Sequence, residues 1–331
     1  RELQELFTVG KGIDGATSPY SEDDVKAAAK VLTGWNVDGA NNITIFNTNR
    51  HDVTNKTFSA FYGNTIITGQ AGNNGGNLEL DALLDMIFAT PDVALNICRK
   101  LYRWFVYYNI DAAAETNVIE PLATIFRNSG YDIKTTLATL FKSEHFFDSL
   151  NKGCNIKNPI DNIVAICREF SIQFPVDTDV TGNYFMWQYV QGVGSGLQQN
   201  IGDPPAVAGW PAYYQRQQFA DVMNSTGYTR QGRKIIIDHS IFAKSMPNPG
   251  DPNALIEDSV KYLLGLPLIQ SSRDQIKSDI LLTGQISDGY WTSAWNTFIS
   301  NPGDMMNTTV VKTRLANLYM YLMRLPEYQL S

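Results

Sequence analysis

Through most of this chain apolar residues recur every three or four positions, in runs that open and close on helix punctuation. No other feature limits the fold as much, because such runs form amphipathic helices that must bury one face against each other. Ser21 is followed three residues later by Asp24, a capping pair, and Val25, Ala28, Ala29 and Leu32 then share a face until Gly34. Thr90-Pro91-Asp92 supplies a cap, a proline at the first helical position and an acid. Val93, Ile97, Leu101, Phe105 and Tyr108 are expected to form the buried stripe behind it, with Arg99 and Arg103 together on another side. Comparable runs cover 119–126, 133–141, 160–170, 255–264 and 311–325, the last stopped by Pro326. Short gaps between runs favour antiparallel neighbours. The expected fold is mainly α: one large, multi-helix, bundle-like domain over 1–331, with possible sub-lobes 1–150 and 151–331.

Two segments break the period. Between 35 and 78, Asn, Thr and Gly dominate. Asn42-Ile43-Thr44-Ile45-Phe46 alternates, and Thr65-Ile66-Ile67-Thr68 is rich in β-branched residues. A small β-ribbon or ordered loop is therefore expected near 36–78. The second irregular segment, 192–214, carries Pro204, Pro205, Trp210, Pro211, Tyr213 and Tyr214, a composition that argues for order. Long loops in a compact domain tend to be functional or disordered.

With 331 residues, 44% apolar and 18% charged, the chain can bury a large core. It has no apolar run of the ~18 residues needed to span a membrane. A net charge of −7, with no basic run longer than Arg99-Lys100 or Arg233-Lys234, argues against nucleic acid as a partner. Of the three cysteines, Cys98 and Cys167 fall on apolar helix faces and read as small core residues. No zinc spacing joins them to Cys154. The chain opens at Arg1 inside an apparent helix and is expected to be a fragment whose N-terminal part is missing.

Eight segments in order carry a resemblance. Arg1-Glu2-Leu3-Gln4-Glu5-Leu6-Phe7-Thr8-Val9-Gly10 is followed by Tyr20 to Trp35, ending Leu32-Thr33-Gly34-Trp35, and by His51-Asp52 with Lys56. Arg99-Lys100-Leu101 with Phe105-Val106, Ser129-Gly130-Tyr131-Asp132-Ile133-Lys134, Lys142-Ser143-Glu144-His145-Phe146-Phe147 and Lys157-Asn158-Pro159 come next. Pro204-Pro205-Ala206-Val207-Ala208-Gly209-Trp210-Pro211 closes the series. Together they resemble the bacterial family known as domain of unknown function 1800, over roughly residues 1–234. The chain lacks that family's leading helices and has Val222-Met223 where a tryptophan usually precedes the Asn-Ser-Thr stretch. The resemblance implies an exported bacterial protein of the kind common in Bacteroidetes, periplasmic or extracellular, often paired with an alkaline-phosphatase-like partner. It implies no catalytic residues.

The residues themselves offer a few candidate sites. Glu2 and Glu5, spaced i, i+3, would share a helix face and can bind a metal or act as acid and base. His51-Asp52 is the most reactive-looking pair, with Lys56 in reach to neutralise Asp52 or meet an anionic ligand. Three histidines are too few for a His-rich zinc or copper site. No cofactor is predicted, although carboxylates leave room for a calcium or magnesium ion. Trp35, Trp210, Tyr213 and Tyr214 can stack on a ligand or cap the core. Gly192-Val193-Gly194-Ser195-Gly196 lacks the spacing of a phosphate loop and of a nucleophile elbow. Two functions follow. One is an exported helical binding or assembly scaffold that presents 35–78 and 192–214. The other is an extracytoplasmic hydrolase with Glu2, Glu5, His51 and Asp52 in one pocket.

Overall fold

The computed structural model describes residues 1–13, 17–205, 209–210 and 217–331. The described chain is mainly helical, with small two-stranded antiparallel sheets as its only strand pairs. It divides into two compact units, Arg1–Asn151 and Lys152–Ser331. Among the described residues no helix is long and apolar enough to cross a membrane.

In the first unit, Ser21 caps the helix Glu22–Val31 as the sequence predicts. Its hydroxyl accepts the Asp24 N–H at 3.2 Å, and Asp24 accepts the Ser21 N–H at 2.7 Å. Asp24 also accepts the N–H and hydroxyl of Ser59, at 2.7 and 2.8 Å, which ties the helix to the irregular segment. Burial would raise the Asp24 carboxyl, but the hydrogen bonds from Ser59 and Ser21 outweigh it and hold the group below its ordinary range.

Both strands read from the sequence form, and each finds a partner that alternation alone did not reveal. Ile43–Phe46 pairs with Trp35–Asp38, and Ile66–Ile67 with Lys56–Thr57. The irregular segment ends earlier than 78, because a helix, Gly75–Phe88, begins inside it. Glycines at its start hide this helix in the sequence, and both are required, Gly75 because a Cβ there would lie 2.6 Å from the Gln70 carbonyl oxygen. A Cβ on Gly76 would lie 2.3 Å from the Phe46 ring.

The helix Pro91–Phe105 corrects the expected stripe. Its buried residues are Val93, Ala94, Cys98, Arg99 and Tyr102, while Phe105 and Tyr108 face solvent. A spacing of four overshoots the 3.6-residue turn by about 40° per step, so a strict i+4 stripe winds out of the core. Arg99 turns inward and grips the buried Glu115 carboxylate, its Nε 3.0 and 3.1 Å from the two oxygens. Glu115 opens a π-helical turn, Glu115–Ile119, which leads into the helix Glu120–Asn128.

The second unit is organised around the helix Met305–Arg324. Its Val311, Leu315, Leu318 and Leu322 are buried, as their spacing predicts. Tyr228–Arg230 and Arg233–Ile235 form a hairpin on the two-residue loop Gln231-Gly232, both with positive φ (48° and 77°), as tight hairpins need. The second irregular segment starts after Gly196 and not at Gly192, since Gly192 to Gly196 complete the helix Val180–Gly196. The glycines read as a loop signal, but Gly194 serves packing, while Gly192 and Gly196 face open space. A Cβ on Gly194 would lie 2.4 Å from Cδ1 of Ile160, on the helix Pro159–Glu169.

Candidate functional site

The His51 region is a closed network. His51 Nδ1 lies 2.9 Å from the Thr33 carbonyl, and Nε2 lies 3.0 Å from Glu79 Oε1. Glu79 also accepts the Gln70 N–H at 2.7 Å and the Lys56 ammonium at 2.6 Å. Lys56 donates further to the Asp52 carbonyl. The Lys56 and Glu79 side chains have no solvent exposure and that of His51 only 2%. Lys56 therefore neutralises Glu79 and not the Asp52 carboxylate, and His51 turns away from its neighbour in the chain. The Asp52 carboxylate accepts the hydroxyl and N–H of Thr54, bonds that hold it below its ordinary range. Glu79 is the residue that sequence reasoning missed. Its only signal was an acid flanked by Leu78 and Leu80 just past a glycine pair.

The other candidates near the N-terminus go elsewhere. Leu3–Phe7 is a π-helical turn, whose wider i→i+5 geometry loosens the i, i+3 alignment assumed for Glu2 and Glu5. Glu2 is exposed, and Glu5 pairs with Lys11 at 2.7 Å. Trp35 packs on Phe46, ring centroids 5.1 Å apart, and Phe46 in turn meets the His51 ring edge-on. None of Glu5, His51 and Asp52 shares a hydrogen-bond partner with another through its side chain. Among the described residues no group of three or more His, Cys, Asp or Glu is placed to hold a metal ion.

Among the described residues, two larger openings elsewhere in the fold could admit a ligand. The first is a cleft of about 490 Å³ in the first unit, lined by residues of 102–118 and 145–151. In its wall the Tyr102 hydroxyl and His145 Nε2 are 2.8 Å apart, with the two rings stacked. His145 reads in the sequence as part of a helix end, and Ser143 does cap a short turn there, Glu144–Phe147. Its pairing across 43 positions with Tyr102 has no local signal.

The second is a shallow depression of about 450 Å³ on the helix Val180–Gly196. Tyr184 and Trp187, 64% and 53% exposed, meet edge to face with centroids 5.6 Å apart. Beside them the Arg230 guanidinium covers the Phe185 ring at 4.2 Å and donates to Gln188 at 2.8 Å. Gln191 donates to the Asn200 side chain at 2.5 Å, and the Trp210 indole donates to the Asn200 carbonyl at 2.8 Å. These bonds connect Trp210 to the helix through Asn200. Tyr213, with Tyr214 and Pro211, lies outside the described residues.

No curated protein and no solved structure matches the chain. The family model described as "Protein of unknown function (DUF1800)" matches residues 1–330. That match runs past the motifs near the first 234 residues and takes in the second unit as well, so the chain as a whole belongs to the DUF1800 family.

Proposed function

We propose that this chain is an assembly module of the periplasm or the cell exterior, a helical scaffold that docks a partner protein through the surface around Tyr184, Trp187 and Trp210. The observation that carries this reading is the exposure of two large aromatics beside Arg230. Trp, Tyr and Arg are the residues on which interface binding energy concentrates. Large exposed aromatics grouped on one face commonly mark an interaction site. The first irregular segment fits the same reading, because the Lys56–Glu79–His51 network fixes its shape from inside. The alkaline-phosphatase-like protein implied by the family resemblance is the partner to test.

An extracytoplasmic hydrolase built on Glu2, Glu5, His51 and Asp52 has less support, because both ring nitrogens of His51 are occupied and Glu5 is paired with Lys11. The test is the affinity of the chain for the alkaline-phosphatase-like protein of its own organism, measured by surface plasmon resonance. Tyr184→Ala and Trp187→Ala should each weaken binding about 30-fold, the loss of ~2 kcal/mol typical of a hot spot. Unchanged affinity in both variants would reject this surface. An ester or polysaccharide turnover lost in His51→Gln at unchanged stability would favour the hydrolase.

A further inference from the structure

The cleft of the first unit stands apart from that docking surface in chemistry, and we infer that it binds a neutral saccharide of about disaccharide size. Its volume of about 490 Å³ lies in the range of small-ligand sites. Among the described residues no lysine or arginine lines it, so a phosphate or carboxylate would find no paired cation on that lining. Instead the lining offers side chains that both donate and accept. Asn109 and Asn117 contribute exposed amides with no protein partner among the described residues, and an amide matches a sugar hydroxyl in carrying donor and acceptor together. Asp111 and Asp148 each spend Oδ1 on a backbone N–H, of Ala114 at 2.8 Å and Leu150 at 2.9 Å, and keep Oδ2 for a hydroxyl donor.

The cleft is also held in shape. Tyr102 fixes the His145 ring through Nε2 and leaves Nδ1 without a partner among the described residues. Asn151 donates to the His145 carbonyl at 2.6 Å. A further stretch of the lining, Ala113 to Val118, includes the π-turn that the buried Arg99–Glu115 pair anchors. Such preorganisation lowers the entropic cost of binding. Tyr107, Val118 and Leu150 supply apolar surface for the flat face of a sugar ring, and the Tyr107 ring is met edge-on by Tyr108, 67% exposed. The two aspartates alone would suit a cation. Among the described residues, however, no three His or Asp side chains are placed together to hold a metal, and amides surround the acids, which favours the neutral, hydroxyl-rich ligand.

The test is titration of the isotopically labelled chain with N,N′-diacetylchitobiose, cellobiose and maltose, followed by the His145 ring resonances. At least one sugar should saturate with a Kd of about 1 mM or tighter. Asn109→Ala and Asn117→Ala, both exposed positions, should weaken that binding at least tenfold with the thermal midpoint unchanged. Trp187→Ala, which probes the docking surface, should leave it unaffected. The inference is overturned if none of the three sugars saturates, or if the asparagine variants bind as the parent does. Saturation by putrescine or inorganic phosphate, with none by the sugars, would also overturn it.

Discussion

Lys56→Met takes away an ammonium with no exposure to solvent and strands the Glu79 carboxylate inside the protein. Methionine keeps most of the lysine stem's volume, so the change is chiefly one of charge. Breaking a buried ion pair from one side costs about 3–5 kcal/mol. Glu79 keeps the Gln70 N–H and His51 as partners, which places the expected cost at the lower end, about 3 kcal/mol. At ~2–4 °C per kcal/mol for a unit of this size, the midpoint should fall by about 6–12 °C. The double variant Lys56→Met/Glu79→Gln removes both charges and should be more stable than the sum of the single losses by at least ~1 kcal/mol. Urea and thermal unfolding followed by far-UV circular dichroism measure all three. A loss below ~1 kcal/mol in Lys56→Met, or simple additivity in the cycle, would refute the reasoning that this pair holds the segment 35–78 in place.

Gly76→Ala should destabilise by about 1–3 kcal/mol, because its Cβ meets the Phe46 ring and overpacking outweighs the gain in helix propensity; a neutral or stabilising result in the same unfolding assay would show that the ribbon is not seated on this helix. His239 gives a pH signature. Burial pushes it from 6.5 to about 4 although Asp238 opposes the shift. The unfolded chain therefore takes up this proton first, so the stability is complete above about pH 6.5 and is lost as the pH falls toward 4, by about 3 kcal/mol. His239→Gln should flatten the dependence of the urea midpoint between pH 7 and 4.5, and an equal slope in both proteins would count against the assignment. The Cys98 thiol is buried and pushed up to about 12 by that burial, so iodoacetamide at neutral pH should label it only after denaturation. Labelling of the native chain there would contradict the packing described.

Helix starts and stops were the most legible part of the sequence, because Ser21, Pro91, Pro159 and Pro326 act within a few residues of where they stand. Which face a helix buries was less so. On Pro91–Phe105 Cys98 is buried as its apolar face predicts, but the regular spacing pointed at Phe105 whereas the core took Tyr102, since partners far away in the chain decide the rotation. Glycine misled in both irregular segments. Gly75, Gly76 and Gly192 to Gly196 look like loops, yet at Gly76 and Gly194 they answer close approaches of Phe46 and Ile160. His51 and Lys56 stood out as reactive types, but the partner that engages both, Glu79, lies 28 and 23 positions on. The open sites were the least legible. Neither the exposure of Tyr184 and Trp187 nor the meeting of Tyr102 with His145 leaves a periodic trace.

The central claim is that the surface of the helix Val180–Gly196 docks a partner protein, and site-specific photo-crosslinking in the living cell tests it most directly. A photoreactive phenylalanine analogue at position 187 should give one dominant adduct, identified by mass spectrometry as an alkaline-phosphatase-like protein. The same analogue at position 286, where Ile286 is 99% exposed, should not. No adduct from position 187, or the same adducts from both positions, would contradict the account.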